Sequence, residues 1–274
     1  MSFPKKHPVL SYFAITFAIS FSLFILAVGG PGAIPGTPEQ IEKLMLPTIL
    51  GLLVGPPITG LLMTGLVYGR AGYKDLRSRL FKWRVGVRWY VVALLTAPLL
   101  FLAVLLSLSL VSPVFLPGIF TAGDKGGLLA FGLVVGLMAG IFEEIGWTGF
   151  AIPGLRKRYS VLATGPIVGL LWAGWHVLPA IWFSGMGSGP LSLASYIFDP
   201  FLFLVMFRVL MVWVYDRTES LLLAMLMHVS LTSSTRILGS VSTGGVNLLA
   251  FDLMWFAAMS FIVAVATRNE KRKK

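Results

Sequence analysis

Two carboxylates stand side by side in an apolar stretch, Glu143 and Glu144 in the run Gly140-Ile141-Phe142-Glu143-Glu144-Ile145-Gly146-Trp147. A carboxylate inside hydrocarbon costs on the order of 3 kcal/mol on insertion scales, so an adjacent pair implies function and a partner. Two imidazoles, His176 and His228, lie in separate apolar segments. A glutamate beside an imidazole can take a proton from water. A second imidazole with a nearby hydroxyl can donate hydrogen bonds to a developing oxyanion. Thr232 follows His228 by one helical turn and shares its face. Glu143, His176 and His228 are also the ligand types of catalytic zinc sites that keep an open water position. In both versions water attacks a carbonyl. The residues demand no cofactor; if a metal is present, Zn2+ is the one this set would hold. The linear pattern H-E-x-x-H is absent, so such a site would be assembled from separate segments.

Each residue also has a structural explanation. A membrane histidine can simply bond across helices, and a glutamate pair can relay protons in a transporter. Trp172 and Trp175 beside His176 read as packing. Asp199, Arg208, Arg236 and Asp252 read as structural ion pairs.

The elements that carry these residues follow from composition. The chain has 274 residues, 57% hydrophobic and 12% charged, where a soluble domain carries about 25% charged residues. Its apolar runs have the length of about 20 residues that crosses roughly 30 Å of hydrocarbon. The expected fold is all-α, a polytopic membrane helix bundle of about eight transmembrane helices. They fall at residues 9–29, 46–68, 89–111, 127–151, 161–183, 193–214, 219–238 and 247–267. The expected organisation is a single integral membrane domain, 1–274, with its catalytic core at 127–238. Cysteine is absent, which excludes thiol nucleophiles and thiolate metal sites.

The net charge of +11 does not point to nucleic acid, because the basic residues cluster at segment ends. Lys5, Lys6, the run Arg70 to Arg88, Arg156, Lys157, Arg158, Arg217, Arg268, Lys271, Arg272, Lys273 and Lys274 all fall on one side of an eight-span arrangement. The positive-inside rule then puts both termini in the cytoplasm, in the plasma (inner) membrane of a bacterium or archaeon. Leu76, Leu80, Trp83 and Val87 recur at helical spacing among basic residues, predicting an interfacial amphipathic helix at 73–88 on the lipid bilayer. Gly51, Gly55, Gly60 and Gly65 predict close helix packing.

Depth links the elements to the chemistry. A rise of about 1.5 Å per residue puts Glu143 on the order of 15 Å from a helix end at Pro153. His228 reaches a similar depth from Glu219, and His176 does so if its regular helix starts at Gly165-Pro166.

Three segments in this order resemble the CPBP intramembrane proteases, named for CAAX protease and bacteriocin processing. They are Phe142-Glu143-Glu144-Ile145-Gly146-Trp147-Thr148-Gly149-Phe150, Leu170-Leu171-Trp172-Ala173-Gly174-Trp175-His176, and Trp213 to Leu221 running into Met227-His228. The family includes type II CAAX prenyl endopeptidases and bacterial abortive-infection or bacteriocin-immunity proteins. The resemblance implies Glu143 as the water-activating residue, His176 as its helper, and His228 at the oxyanion or a metal. Both metalloprotease and metal-free glutamate mechanisms are associated with the family. Two positions depart from its pattern. Thr148 stands where an arginine is usual, leaving Glu144 without that cation, with Arg208 as the candidate replacement. Thr232 stands where an asparagine is usual, exchanging an amide donor for a hydroxyl.

The resulting expectation is an intramembrane endopeptidase. It would cleave a membrane-associated peptide or protein near the cytoplasmic leaflet, with Glu144 orienting the site. The alternatives are a catalytically weak or inactive binding or immunity protein and, third, a proton-coupled transporter.

Overall fold

A computed structural model describes residues 3–186, 189–239 and 245–268; Lys271, Arg272, Lys273 and Lys274 lie outside the described residues. Those described form helices and no strand. Among the described residues, eight helical runs are long and apolar enough to cross a bilayer, so the chain is an integral membrane protein.

The first run is α1 (Pro8–Val28), which ends where Gly29 adopts the left-handed region at φ 91°. Next, α2 (Pro38–Leu53) starts on a capping box, with Thr37 accepting from the Gln40 N–H and the Gln40 side chain accepting from the Thr37 N–H. It runs into α3 (Gly55–Leu80), so the second span covers residues 38–80 rather than 46–68. After α4 (Val87–Ser109) comes α5 (Lys125–Gly146), started by Asp124, whose side chain accepts the Gly127 N–H at 2.8 Å. A π-helical turn, Trp147–Ala151, joins α5 to α6 (Ile152–Arg156). The remaining helices are α7 (Val161–Phe183), α8 (Pro190–Thr218), α9 (Leu221–Leu238) and α10 (Val246–Thr267). Ser220 caps α9 by accepting the Leu223 N–H at 3.2 Å.

Helix α5 packs on α9 and α3, α7 packs on α8, and α8 packs on α10. Small residues set the closest approach. Gly132, Gly136 and Gly140 repeat every fourth residue along α5 and face Ile237, Ser233 and Val229 of α9. A Cβ on Gly140 would lie 2.8 Å from the Met225 carbonyl oxygen and 3.0 Å from the Val229 nitrogen. Of the glycines expected to pack, Gly51, Gly55 and Gly60 meet backbone atoms of Leu23, Thr16 and Gly146, while Gly65 meets the Tyr73 hydroxyl.

The segment expected as a separate interfacial helix at 73–88 is built differently. Its helical part is the end of α3, which bends at Gly69 (φ 60°, ψ −148°) and continues to Leu80. Residues 82–86 are not helical, and Val87 already belongs to α4. Leu76 and Leu80 pack on Leu221, Met225 and Ile145, whereas Trp83 and Val87 are exposed. The apolar face therefore docks partly on protein. Arg79 donates to the Gly149 carbonyl in the π-helical turn and to the Tyr215 hydroxyl, both at 2.9 Å. Lys82 pairs with Glu219 at 2.9 Å, and Arg156 with Asp216 at 2.7 Å. These contacts gather the loops after α3, α6 and α8 at one end of the bundle, as the one-sided charge pattern requires.

The α5–α9 seam makes a paired prediction. Gly140→Ala forces two backbones apart and should cost about 1–3 kcal/mol. Gly174→Ala, whose Cβ would meet nothing within 4 Å, should be neutral or stabilising. Thermal unfolding of the two variants in detergent distinguishes them; equal melting temperatures would contradict the seam.

Candidate active site

Neighbouring residues on an α-helix point about 100° apart, so Glu143 and Glu144 meet different surroundings. Glu144 is fully buried. Arg208 of α8 grips it with both arms, Nη1 to Oε2 and Nη2 to Oε1, each at 2.9 Å. His228 Nδ1 lies 2.7 Å from Oε1, and the Thr148 hydroxyl makes a short hydrogen bond to Oε2. A carboxylate offers about four lone-pair sites, and these four donors fill them. The cation missing at position 148 thus arrives from another helix.

Glu143 is buried but lacks a salt-bridging Arg or Lys among the described residues. Its Oε2 accepts two indole N–H groups, from Trp172 of α7 at 2.7 Å and from Trp147 at 3.2 Å. Its Oε1 faces His228 Nε2 at 3.9 Å. That is too long for a direct hydrogen bond and suits a bridging water. The π-helical turn begins at Trp147, one turn after Glu143; such turns recur at functional sites.

Trp172 is the hub of the arrangement. Arg208 Cζ sits 3.9 Å above its ring, His228 lies edge-on with centroids 5.0 Å apart, and His176 lies edge-on at 5.7 Å. Packing alone therefore does not describe this tryptophan. Since α7 starts at Val161 after Ser160, with Pro166 inside it, Trp172 is the residue level with Glu143. His176 follows one turn, about 6 Å, further along α7. Its Nδ1 donates to the Trp172 carbonyl at 2.9 Å, because a carbonyl can only accept. Its Nε2 then carries the lone pair in the neutral ring.

The carbonyl contact fixes His176, and the Glu144 contact likewise puts a hydrogen on His228 Nδ1. Thr232 is half-buried, one turn beyond His228 on α9. Five sequence-derived residues thus stand as one saturated acid, one open acid, two imidazoles around a shared indole, and a hydroxyl on the α9 face. Sequence reasoning left Trp147 and Trp172 out. Their signal was spacing within the first two motifs: Trp147 follows Glu143, and Trp172 precedes His176, by one turn. Arg208, read both as a structural ion-pair residue and as the candidate cation for Glu144, takes the second role.

The set expected to hold zinc, Glu143, His176 and His228, does not fit as arranged. Among the described residues no group of three His, Cys, Asp or Glu is gathered so that it could hold a metal ion.

Residues 125–233 match the family model described as type II CAAX prenyl endopeptidase Rce1-like. The chain is 25% identical to CAAX prenyl protease 2 of Methanococcus maripaludis, over 94% of this chain and 96% of that protein. Both likenesses agree with the resemblance drawn from the three motifs, and they support a CAAX-type intramembrane protease.

Removing one partner of a buried ion pair leaves the other uncompensated. Arg208→Ala should lower stability by about 3–5 kcal/mol. Glu144→Gln combined with Arg208→Ala should cost less than the two single changes added together. Denaturant unfolding in mild detergent measures the cycle.

Proposed function

From this likeness to the type II CAAX prenyl endopeptidases, we propose that the chain is an intramembrane endopeptidase that hydrolyses a peptide bond with water activated by Glu143. The observation that carries the reading is the contrast between the two acids. Every acceptor site on Glu144 is occupied, so it cannot also receive a proton from water. Glu143 keeps Oε1 open, facing His228 Nε2 across 3.9 Å.

Water held at Glu143 Oε1, with the His176 Nε2 lone pair as a second acceptor, attacks the carbonyl carbon of the scissile bond. Its proton passes to Glu143, and the carbonyl oxygen becomes an oxyanion. His228 donates to that oxyanion from Nε2 in its imidazolium form. Glu144 stabilises this form at Nδ1, as a carboxylate does for the histidine of a hydrolytic triad. The Thr232 hydroxyl is a second donor. Collapse breaks the C–N bond, and the proton held by Glu143 goes to the leaving amine. The products are a carboxylic acid and an amine. Arg208 pairs with and orients Glu144, so position 148 need not supply the cation.

The substrate class we assign is a membrane-associated peptide or protein tail. The Methanococcus maripaludis relative is named for prenylated CAAX substrates, and a lipid-modified C-terminal peptide suits a site reached from the bilayer. We take the basic end of the bundle as cytoplasmic, which puts cleavage in the inner leaflet of the plasma membrane with both termini inside.

The test is cleavage of a prenylated C-terminal peptide by purified protein in lipid vesicles. Glu143→Gln and His176→Ala should each lower kcat/KM by about 100-fold or more while helical content and melting temperature persist. Wild-type cleavage by Glu143→Gln would remove the mechanism.

A further inference from the structure

Buried indole N–H groups are not all engaged in this protein. Among the described residues, those of Trp175 and Trp182 have no hydrogen-bond partner, yet both rings are fully buried. Against that background, two indoles from different segments converge on one oxygen of one carboxylate, Glu143 Oε2. The shorter bond, 2.7 Å, comes from Trp172, whose ring also carries Arg208 on its face and touches both imidazoles.

We propose that Trp172 is a positioning residue for the reaction: its indole N–H holds Glu143 Oε2 so that Oε1 alone is presented to water and His228. This rests on Glu143 being the base. The terminal torsion of a glutamate is broad, so an untethered carboxylate would swing between its two oxygens. Two donors on Oε2 remove that freedom before substrate binds, and a reacting group held in its productive geometry gains rate without added affinity. The ring links this tether to the Glu144–Arg208 pair, so one side chain sets the base and the neighbouring ion pair together. Trp147, at 3.2 Å, is the weaker second tether.

Trp172→Phe isolates the N–H, because phenylalanine keeps an aromatic face for Arg208 and the imidazoles but has no donor. In the vesicle cleavage assay its kcat should fall roughly 10- to 100-fold, with KM within about twofold. Trp147→Phe should lower kcat by a smaller factor. Trp182→Phe removes the same volume on the same helix, where the ring packs on Phe24 and Phe183 instead of the site, and should leave kcat within about threefold. The proposal is overturned if Trp172→Phe matches Trp182→Phe in kcat while Glu143→Gln is inactive, or if its loss falls on KM instead. Should Trp172→Phe not accumulate, Trp147→Phe carries the test through the same oxygen, and an unchanged kcat there overturns the shared tether. Activity surviving in Glu143→Gln would instead sink the assignment of the base, a distinct result.

Discussion

The arrangement depends on the buried pair of Glu144 and Arg208. Both side chains are completely buried. Taking two charges out of water costs several kcal/mol per ion, and their attraction offsets that only when geometry and remaining hydrogen bonds are complete. Here the fork of the guanidinium meets both carboxylate oxygens and His228 and Thr148 fill the rest of the carboxylate, while Arg208 Nε has no hydrogen-bond partner among the described residues. The pair fastens α5 to α8 and, through His228, to α9. It also fixes which ring nitrogen of His228 faces Glu143. The close α5–α9 seam at Gly140 and Gly136 is what lets Glu144 and His228 meet at 2.7 Å.

Adjacency in sequence then becomes division of labour in space. One helical step turns the two glutamates toward different neighbours. One meets a cation, an imidazole and a hydroxyl, and is left with no free acceptor. The other meets only indole N–H groups on one oxygen. Neutral donors stabilise a carboxylate without cancelling its charge, and they leave an oxygen open. Two acids in one pocket are assigned different roles by environment alone. Helical i, i+4 spacing puts Trp147 over the Glu143 carboxylate, and Arg79 occupies the Gly149 carbonyl in the π-helical turn that follows.

Span number and charge sidedness were legible because they are local: bilayer-length apolar runs and basic ends each show in a window of sequence. Where an element depends on a distant partner, the pattern misleads. Leu76 looks like a membrane-facing residue until Leu221 and Met225 are known to cover it. Pro166 looks like a helix start, yet α7 begins at Val161 and carries the proline inside. That shift makes Trp172, rather than His176, level with Glu143. The acids and imidazoles were recognisable by type and spacing. The direction of an indole N–H is not encoded in spacing, whereas Arg208 was recognisable as a candidate cation for Glu144 although its helix supplies none of Glu143, His176 and His228.

Thr148 shows how the site tolerates a changed residue without losing its physics. A cation one turn along α5 and a cation on α8 neutralise the same carboxylate, so position 148 need not supply the charge. It must instead be small and able to donate, since it is fully buried against an acid whose other acceptor sites are spoken for. Threonine meets both conditions. A second guanidinium there would meet a Glu144 carboxylate whose charge Arg208 already matches. What the pocket holds fixed is therefore a charge count and a set of donors, and the helix that delivers the cation is free to differ.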